Sequence, residues 1–239
     1  MAYPERIVPD ETPSGILALH LKRYEFARPY ATGKAVLDAA CGTGYGAAYL
    51  GEVAARVLGV DVDPPTIDYA AERYGKPNVS FQVGDVCALE LDDRSFDLVA
   101  SFETIEHVRD GDAAVREAAR VVREDGVYVV STPRADRTTH DPDNPFHEIE
   151  YSVDDFRALL EHSFRSVQLY GQTRVDTQAH RVLRSLDVFG LRRRIPLGWT
   201  AWVTGSRATP SLTMDDVAIG DDLADATELL AVCRAPRTV

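Results

Sequence analysis

The sequence predicts a doubly wound α/β domain, in which a parallel β-sheet has helices packed on both faces. Short, continuously apolar segments recur between residues 34 and 133, and most are followed by a stretch with helical periodicity. Strands of a parallel sheet are buried on both faces and are apolar throughout, whereas half-exposed strands alternate. The intervening helices supply the crossovers that parallel strands need.

Five strands are expected in this region, one at each apolar run. Their segments are KAVLDAA (34–40), ARVLGVD (55–61), NVSFQVGD (78–85), FDLVASF (96–102) and DGVYVVSTP (125–133). Residues 110–124, rich in alanine, valine and arginine, have the pattern of an amphipathic helix before the fifth strand. In such folds ligands bind at the carboxyl ends of the strands, near the point where the strand order reverses.

Further elements are expected on both sides of these strands. Residues 14–30 read as one or two helices, 152–164 as a helix with Ser152 as its N-cap, and 165–172 and 226–235 as strands. The expected organisation is an N-terminal helical cap (1–33), a core (34–175), an insertion (176–225) and a final core strand (226–239). Insertions at this point of such folds commonly shape the pocket for the substrate or form a homodimer contact.

Composition narrows the class of protein. The chain has 239 residues, 45% of them hydrophobic, which is enough for one good core. Its three cysteines are odd in number and widely spaced, which fits thiols in a reducing cytoplasm better than a disulfide framework. No run of 18 apolar residues predicts a transmembrane helix, and the N-terminus lacks the apolar part of a secretory signal. The expected localisation is cytoplasmic.

Charge counts against a nucleic acid as the partner. The net charge is −12, whereas a phosphate backbone calls for a basic face. The distribution is uneven, because residues 174–207 contain seven arginines and only two aspartates. Together with Trp199 and Trp202, these arginines either recognise an anionic acceptor or a membrane surface, or are solvated on a helix that covers the pocket.

Glycines and acids coincide with the ends of the first three strands. Gly42, Gly44 and Gly46 follow the first strand, where glycine lets the backbone approach a ligand closely. The strands end near Asp38, Asp61 and Asp85. A carboxylate after the second strand can pair with both ribose hydroxyls, and one after the third can accept from an adenine amino group. The alternatives are caps or turns at each aspartate, or a nicotinamide site, for which the third glycine comes one residue too early.

Residues 14–172 resemble the class I S-adenosylmethionine-dependent methyltransferases. The resemblance rests on DAACGTG, GVDVD, VGDV, FDLVASFETIEHV and the helix–strand pair ending at STP. It implies a Rossmann-like, seven-stranded sheet with the last strand inserted antiparallel, and S-adenosylmethionine as cofactor. The residues it implies as cofactor contacts are Arg23, Tyr24, Asp38, Gly42, Thr43, Gly44, Asp61, Val62, Asp85, Val86 and Phe102.

Within that set, the resemblance also implies individual roles. Asp61 would hold the ribose, and Asp85 with Val86 the adenine. Gly42 and Gly44 would lie against the methionine part, whose amino group would be near Asp38. Arg23 and Tyr24 would contact the methionine carboxylate.

Acidic and basic residues are concentrated after the fourth strand, in SFETIEHV (101–108). If this segment is helical, Glu103, Glu106 and His107 share one face, beside the expected methyl group. His107 would then be a general base for an acceptor hydroxyl, or the carboxylates and His107 would hold a divalent cation that acidifies it. In a third interpretation Glu103 contacts the ribose or a loop amide, while Glu106 and His107 are solvated.

A later histidine, His147, follows the fifth strand. Loops after neighbouring strands are adjacent, so His147 could reach the same site. E-x-x-E-H followed by a later histidine resembles the small-RNA 2′-O-methyltransferases of plants and bacteria, and E-x-x-E-H alone is similar to quinone-precursor O-methyltransferases. The first resemblance implies four metal ligands: Glu103, Glu106, His107 and His147. Mixed carboxylate and imidazole ligation suits Mn²⁺ or Zn²⁺ at least as well as Mg²⁺.

The predicted function is O-methylation of a small hydroxylated acceptor, such as a sugar, a glycoside or a natural-product intermediate, with S-adenosylmethionine as donor. His107 and Glu106 are the predicted catalytic residues. RNA 2′-O-methylation is a second hypothesis, against which the net charge of −12 counts. The third is a catalytically silent cofactor-binding protein that acts through an interface.

Overall fold

An eight-stranded β-sheet forms the centre of the described part of the chain, which comprises residues 6–174 and 212–237 of a computed structural model. The strands are β1 (Ala35–Ala39), β2 (Arg56–Asp61), β3 (Val79–Val83), β4 (Phe96–Phe102), β5 (Val122–Pro133), β6 (Phe164–Arg174), β7 (Val217–Gly220) and β8 (Glu228–Pro236). Their order in the sheet is β3-β2-β1-β4-β5-β8-β6-β7. The first five strands are mutually parallel, and β8 lies antiparallel between β5 and β6. The predicted fold class is confirmed.

The strand count differs from the seven that the family resemblance implied. The additional strand, β7, pairs antiparallel with β6 and lies within the segment predicted as an insertion. It contains only four residues at the sheet edge. Such a short edge strand lacks the long apolar run that revealed the buried central strands.

Helices cover the sheet on both faces. They are α1 (Ser14–Ala31), α2 (Tyr45–Leu50), α3 (Pro64–Tyr74), α4 (Gly111–Val121) and α5 (Val153–Ser163). Successive residues of β1 enter different apolar clusters, because side chains of a strand alternate between faces. Leu37 packs in the cluster that contains Phe156 of α5, whereas Val36 packs in the cluster that contains Ala27 of α1.

The helix between the fourth and fifth strands is shorter than expected. It was predicted over 110–124 and ends at Val121, because Val122 already pairs with Phe96 of β4. The segment after β4, which the sequence left open between a loop and a short helix, has a φ of 51° at Glu103 and then a short 3₁₀ turn over Ile105–His107. The predicted N-cap of α5 is confirmed, since the Ser152 hydroxyl accepts from the Asp155 amide at 3.2 Å.

The N-terminal helix is a single element of 18 residues. None of the helices in residues 6–174 and 212–237 is both long and apolar enough to cross a membrane. The start of α1 packs on the chain where it re-enters the described region, since a Cβ on Gly15 would lie 3.2 Å from Leu212 Cβ. The arginine- and tryptophan-containing segment 180–207 lies outside the described residues.

Candidate active site and cofactor pocket

A cavity of about 790 Å³ lies at the carboxyl ends of the central strands, a volume that is ordinary for a small-molecule site. Its walls come from the glycine loop after β1, the residues after β2, β3 and β4, the loop after β5, helix α1 and the N-terminal segment. Of the residues predicted from the sequence, twelve line it: Tyr24, Gly42, Thr43, Asp61, Val62, Asp85, Val86, Phe102, Glu103, Glu106, His107 and His147. Arg23, Asp38 and Gly44 do not line the cavity but lie behind its wall.

The two glycines of the loop have different surroundings. Both have positive φ, 53° at Gly42 and 88° at Gly44, a conformation that favours glycine. A Cβ on Gly44 would lie 2.8 Å from atoms of Ala70 and Phe81, so this glycine is required for packing. A Cβ on Gly42 would meet nothing within 4 Å. Gly42 is therefore the loop glycine that leaves its backbone open to a ligand.

Asp61 is held by two backbone amides. Its Oδ2 accepts from the amide of Gly42 at 3.0 Å, and its Oδ1 accepts from the amide of Asp63 at 3.1 Å. Each carboxylate oxygen can accept a second hydrogen bond, so Asp61 retains capacity for two hydroxyls. Next to it, Val62 is 68% exposed and Asp85 is also exposed, both on the cavity wall. Val62 and Asp85 thus offer an apolar and a polar side chain against which the flat ring of a nucleobase can lie.

Asp38 is fully buried one layer beneath the loop. Both of its oxygens lie within reach of the Tyr24 hydroxyl, which donates at 3.2 and 3.3 Å. Burial raises the pKa of Asp38 to about 7, although the bond from Tyr24 opposes the shift. The carboxyl group consequently keeps its proton to a higher pH than an exposed aspartate does. Tyr24 itself packs edge-to-face on Phe102, with ring centroids 4.9 Å apart.

Arg23 lies in a buried polar network between α1 and the sheet. The side chain is 2% exposed, and its Nη2 lies 3.4 Å from Glu103 Oε2 and 3.8 Å from Glu228 Oε1. Its Nε and Nη1 have no hydrogen-bond partner among the described residues. A buried guanidinium with unused donors is suited to an additional anion.

Glu103 is turned toward this network by an unusual backbone conformation. Its φ of 51° is rare for a residue other than glycine and often marks a functional position. Its amide donates to Ser131 Oγ at 3.2 Å, and the same hydroxyl donates to Glu103 Oε1 at 2.7 Å. The other carboxylate oxygen faces Arg23. Glu103 therefore belongs to the polar network of Arg23 and not to the group formed by Glu106 and His107.

Glu106, His107 and His147 form a compact group of potential metal ligands. One ligand atom from each residue lies within 4.8 Å of the other two. Glu106 is 1% exposed, and its Oε2 accepts from the Thr132 hydroxyl at 3.1 Å. Burial, reinforced by the charge of Glu103, raises the pKa of Glu106 well above its usual range. The carboxylate would therefore be stabilised by a cation.

The tautomer of His107 follows from its hydrogen bond. Its Nδ1 lies 2.9 Å from the carbonyl oxygen of Phe146, and a carbonyl can only accept. In the neutral ring Nδ1 therefore carries the proton, and Nε2 has the lone pair. Nε2 lies 4.0 Å from Glu106 Oε1. A nitrogen with this arrangement can bind a metal ion or accept a proton.

His147 reaches the group because the loop after β5 is fixed to the 3₁₀ turn. The amides of Glu148 and Ile149 donate to the Glu106 carbonyl at 2.7 and 3.2 Å. The two imidazole rings lie edge-to-face with their centroids 4.9 Å apart. His147 Nδ1 lies 2.9 Å from Glu150 Oε1, which leaves the lone pair on Nε2. At present that lone pair faces Asn144 Nδ2, at 2.9 Å.

Two of the cavity-lining residues that the sequence analysis missed have basic side chains. His20 lies one helical turn before Tyr24 on α1, and burial, with the nearby Arg23 charge, lowers its pKa to about 3. It is therefore a neutral imidazole at physiological pH. Arg6 lies beside Asp61 at the other end of the cavity. No motif marked either residue; the spacing of His20 to Tyr24 was the only available signal.

Comparison with known proteins identifies a domain in the region that forms the cavity. A family model described as a methyltransferase domain matches residues 37–130. Residues 37–130 form a class I methyltransferase domain. The matched region runs from β1 into β5 and so contains the glycine loop, Asp61, Asp85 and the SFETIEHV segment.

Relatives of the methyltransferase domain occur in several bacteria. A Mycolicibacterium smegmatis protein named "Probable S-adenosylmethionine-dependent methyltransferase" is 42% identical over 134 residues, 54% of this chain and 51% of that protein. The ubiquinone biosynthesis O-methyltransferase of Coxiella burnetii is 32% identical over 102 residues, 42% of this chain and 44% of that protein. The chain thus spans about half the length of these curated relatives.

A solved structure shows the same fold. The TehB-like SAM-dependent methyltransferase of Corynebacterium glutamicum superposes with a TM-score of 0.56 at 20% identity, over 90% of this chain and 87% of that one. At this identity the likeness establishes the architecture of the methyltransferase domain and not its acceptor.

Proposed function

We propose that the chain is an S-adenosylmethionine-dependent O-methyltransferase that binds and deprotonates an acceptor hydroxyl at Glu106, His107 and His147. The observation that carries the proposal is their convergence in the cavity that also contains Asp61 and the open Gly42. The acceptor we expect is a small hydroxylated molecule such as a sugar, a glycoside or a natural-product intermediate. The names of the relatives support the methyl donor, and one of them, an O-methyltransferase, supports oxygen as the methylated atom.

The residues present fit S-adenosylmethionine. Asp61 has acceptor capacity for two ribose hydroxyls, and Val62, Asp85 and Val86 offer a wall for adenine. Arg23 lies behind the cavity wall, and its positive charge and unused nitrogens favour an anion such as the methionine carboxylate on that side. When bound, this cofactor supplies an electrophilic methyl group on a sulfonium ion. Holding the acceptor hydroxyl in line with that methyl is the main task of the surrounding protein.

The group of three also fits a divalent cation. Two imidazole nitrogens and one carboxylate favour Mn²⁺, Fe²⁺ or Zn²⁺ at least as much as Mg²⁺, which prefers oxygen. A bound cation would acidify a hydroxyl placed on it. Within this group, the contacts of His107 with Phe146 and of His147 with Glu150 fix both rings with Nε2 as the ligand atom. Glu103, the fourth ligand predicted from the sequence, is engaged with Arg23 and Ser131.

Without a cation, His107 can act alone as the general base. Its Nε2 carries the lone pair, and the Phe146 carbonyl stabilises the proton on Nδ1. Glu106 lies 4.0 Å from Nε2, and its ionised form would favour the imidazolium that forms when the acceptor loses its proton. General-base catalysis of this kind contributes roughly 10²- to 10⁴-fold.

Calorimetric titration of the chain saturated with S-adenosylhomocysteine tests the site directly. We expect one Mn²⁺ or Zn²⁺ to bind the native chain and Glu106→Gln to abolish this binding. The matched control is Glu117→Gln, because Glu117 pairs with Arg120 on α4 and does not line the cavity. No binding to the native chain would eliminate the cation and leave His107 as the base.

Methyl transfer from radiolabelled S-adenosylmethionine to a panel of sugars, glycosides and phenols tests the activity. His107→Gln should lower turnover by at least 100-fold while S-adenosylhomocysteine still binds. Tight cofactor binding without methylation of any hydroxylated acceptor would contradict the proposal and favour a silent cofactor-binding protein. Salt-sensitive RNA binding with methylation of RNA would instead favour the RNA hypothesis.

A further inference from the structure

A segment without regular secondary structure, residues 6–13, lies along the cavity directly before α1 and turns back on itself at Val8, whose carbonyl accepts from the amides of Glu11 and Thr12. Among its residues, Arg6, Ile7, Val8, Glu11, Thr12 and Pro13 contribute to the cavity wall. We call it the N-terminal strap. It adjoins the end of the cavity where Asp61 is located, whereas His107 and His147 lie at the other end.

Three polar contacts fix the strap to the methyltransferase domain. The Arg6 guanidinium contacts the carboxylates after β2. The Ile7 carbonyl accepts from the buried Thr43 hydroxyl at 2.7 Å, and Asp10 pairs with Arg73 of α3 at 2.5 Å. The first two contacts are made to the glycine loop and to the end of β2, which are the parts proposed to hold the cofactor.

Arg6 bridges two carboxylates in an unequal way. Its Nη1 donates to Asp63 Oδ2 at 2.8 Å, whereas its Nη2 lies 3.5 Å from Asp61 Oδ1. The short bond anchors the guanidinium on Asp63, and the long one leaves the acceptor capacity of Asp61 largely unused. Hydroxyls can therefore occupy Asp61 while Arg6 stays on Asp63.

We propose that Arg6 is a positioning residue of the cofactor pocket, which holds the N-terminal strap across the ribose end through its bond to Asp63. This inference rests on the proposed binding of S-adenosylmethionine. The strap then covers the bound nucleoside, and the nucleoside leaves only when Arg6 releases Asp63. Loss of Arg6 removes a partly exposed, charge-assisted contact, so we expect the dissociation rate of the cofactor product to rise about three- to ten-fold.

Stopped-flow measurement of S-adenosylhomocysteine dissociation, on the full chain and on Arg6→Ala, tests this role. The same increase is expected for 5′-methylthioadenosine, which has the ribose and adenine but lacks the methionine carboxylate. Arg6→Lys should restore part of the effect, because an ammonium can pair with Asp63 but cannot bridge both carboxylates. A merely structural role would lower the melting temperature of the ligand-free chain, whereas the positioning role raises both dissociation rates and leaves that melting temperature unchanged.

The matched control is Arg28→Ala, since Arg28 pairs with Glu52 at 2.9 Å on the surface and does not line the cavity. Equal dissociation rates for Arg6→Ala, Arg28→Ala and the native chain would overturn the role of Arg6 while leaving the proposed function intact. Slower dissociation from Arg6→Ala would also overturn it, because Arg6 would then compete with the ribose. Failure of the native chain to bind either nucleoside would overturn the proposed function itself and the inference with it.

Discussion

Replacing Asp61 by asparagine should weaken the binding of S-adenosylhomocysteine by roughly 30- to 150-fold. Both oxygens of Asp61 face backbone N–H donors, from Gly42 and from Asp63. An asparagine retains one acceptor oxygen, so its amide nitrogen must face one of these donors without forming a bond. The exchange also removes the negative charge from the two bonds proposed between Asp61 and the ribose.

The magnitude follows from these losses. A hydrogen bond to a charged group contributes about 1.5–3 kcal/mol, and an unmade bond at a buried donor costs about 1–3 kcal/mol. The second cost falls on the free and bound states alike, so the affinity change comes mainly from the ribose bonds. A loss of about 2–3 kcal/mol corresponds to the expected factor.

Isothermal titration of the ligand into both chains measures this change, with Asp97→Asn as the control. Asp97 also holds a backbone amide, that of Ala35 at 2.8 Å, and pairs with Arg123 at 2.6 Å. It lies toward the amino end of β4, away from the cavity, so its replacement should lower stability without altering affinity. A change below three-fold for Asp61→Asn, or an equal change for Asp97→Asn, would refute the assigned role of Asp61.

Three further outcomes concern stability and its dependence on pH. The pKa of Asp38 is raised from 3.8 to about 7 in the folded state, so the stability that its protonated form contributes is lost as pH rises through that window, by up to about 1.4 kcal/mol per pH unit. Thermal melts from pH 4.5 to 8 should therefore show a melting temperature that depends less on pH in Asp38→Asn than in the native chain. An equal dependence in both chains would contradict this. Gly44→Ala should lower the free energy of unfolding in urea by roughly 2–4 kcal/mol, because φ is positive there and the new Cβ would lie 2.8 Å from Ala70 and Phe81. Gly42→Ala should lower it by less, because a Cβ on Gly42 meets no atom within 4 Å. Phe156→Ala, at a fully buried position, should cost about 3–5 kcal/mol in the same assay, and a loss below 1 kcal/mol would disprove its place in the core.

Much of the fold could be predicted from local sequence patterns. The central strands are buried on both faces, so continuous apolar runs such as FDLVASF marked them almost to the residue: β4 spans Phe96–Phe102 as predicted. The glycine loop could also be predicted, since positive φ at Gly42 and Gly44 favours glycine at those positions. Strand ends then located the acids at the edge where parallel sheets bind ligands.

Contacts between residues that are distant in the sequence could not be predicted. The pairing of Arg23 with Glu103 and Glu228 joins residues up to 205 positions apart, which no local pattern encodes. The Glu103 amide donates to Ser131 of β5 and its φ is positive, neither of which a local pattern encodes, so the sequence left the segment after β4 open between a loop and a short helix. His147 is a different case, since adjacency of the loops after β4 and β5 follows from the sheet order alone.

The register of β6 has a practical meaning for protein engineering. Arg174, the last residue of β6, is the direct partner of Val217, the first of β7, and Gln172 is the partner of Glu228 in β8. The chain therefore departs from the sheet and returns to it at adjoining points. When both ends of a connection are already fixed, a change in its length has little entropic cost, about 0.6 kcal/mol for each doubling. This edge is accordingly a position at which the sequence between Arg174 and Val217 could be exchanged between relatives while the parallel strands β1–β5 remain untouched.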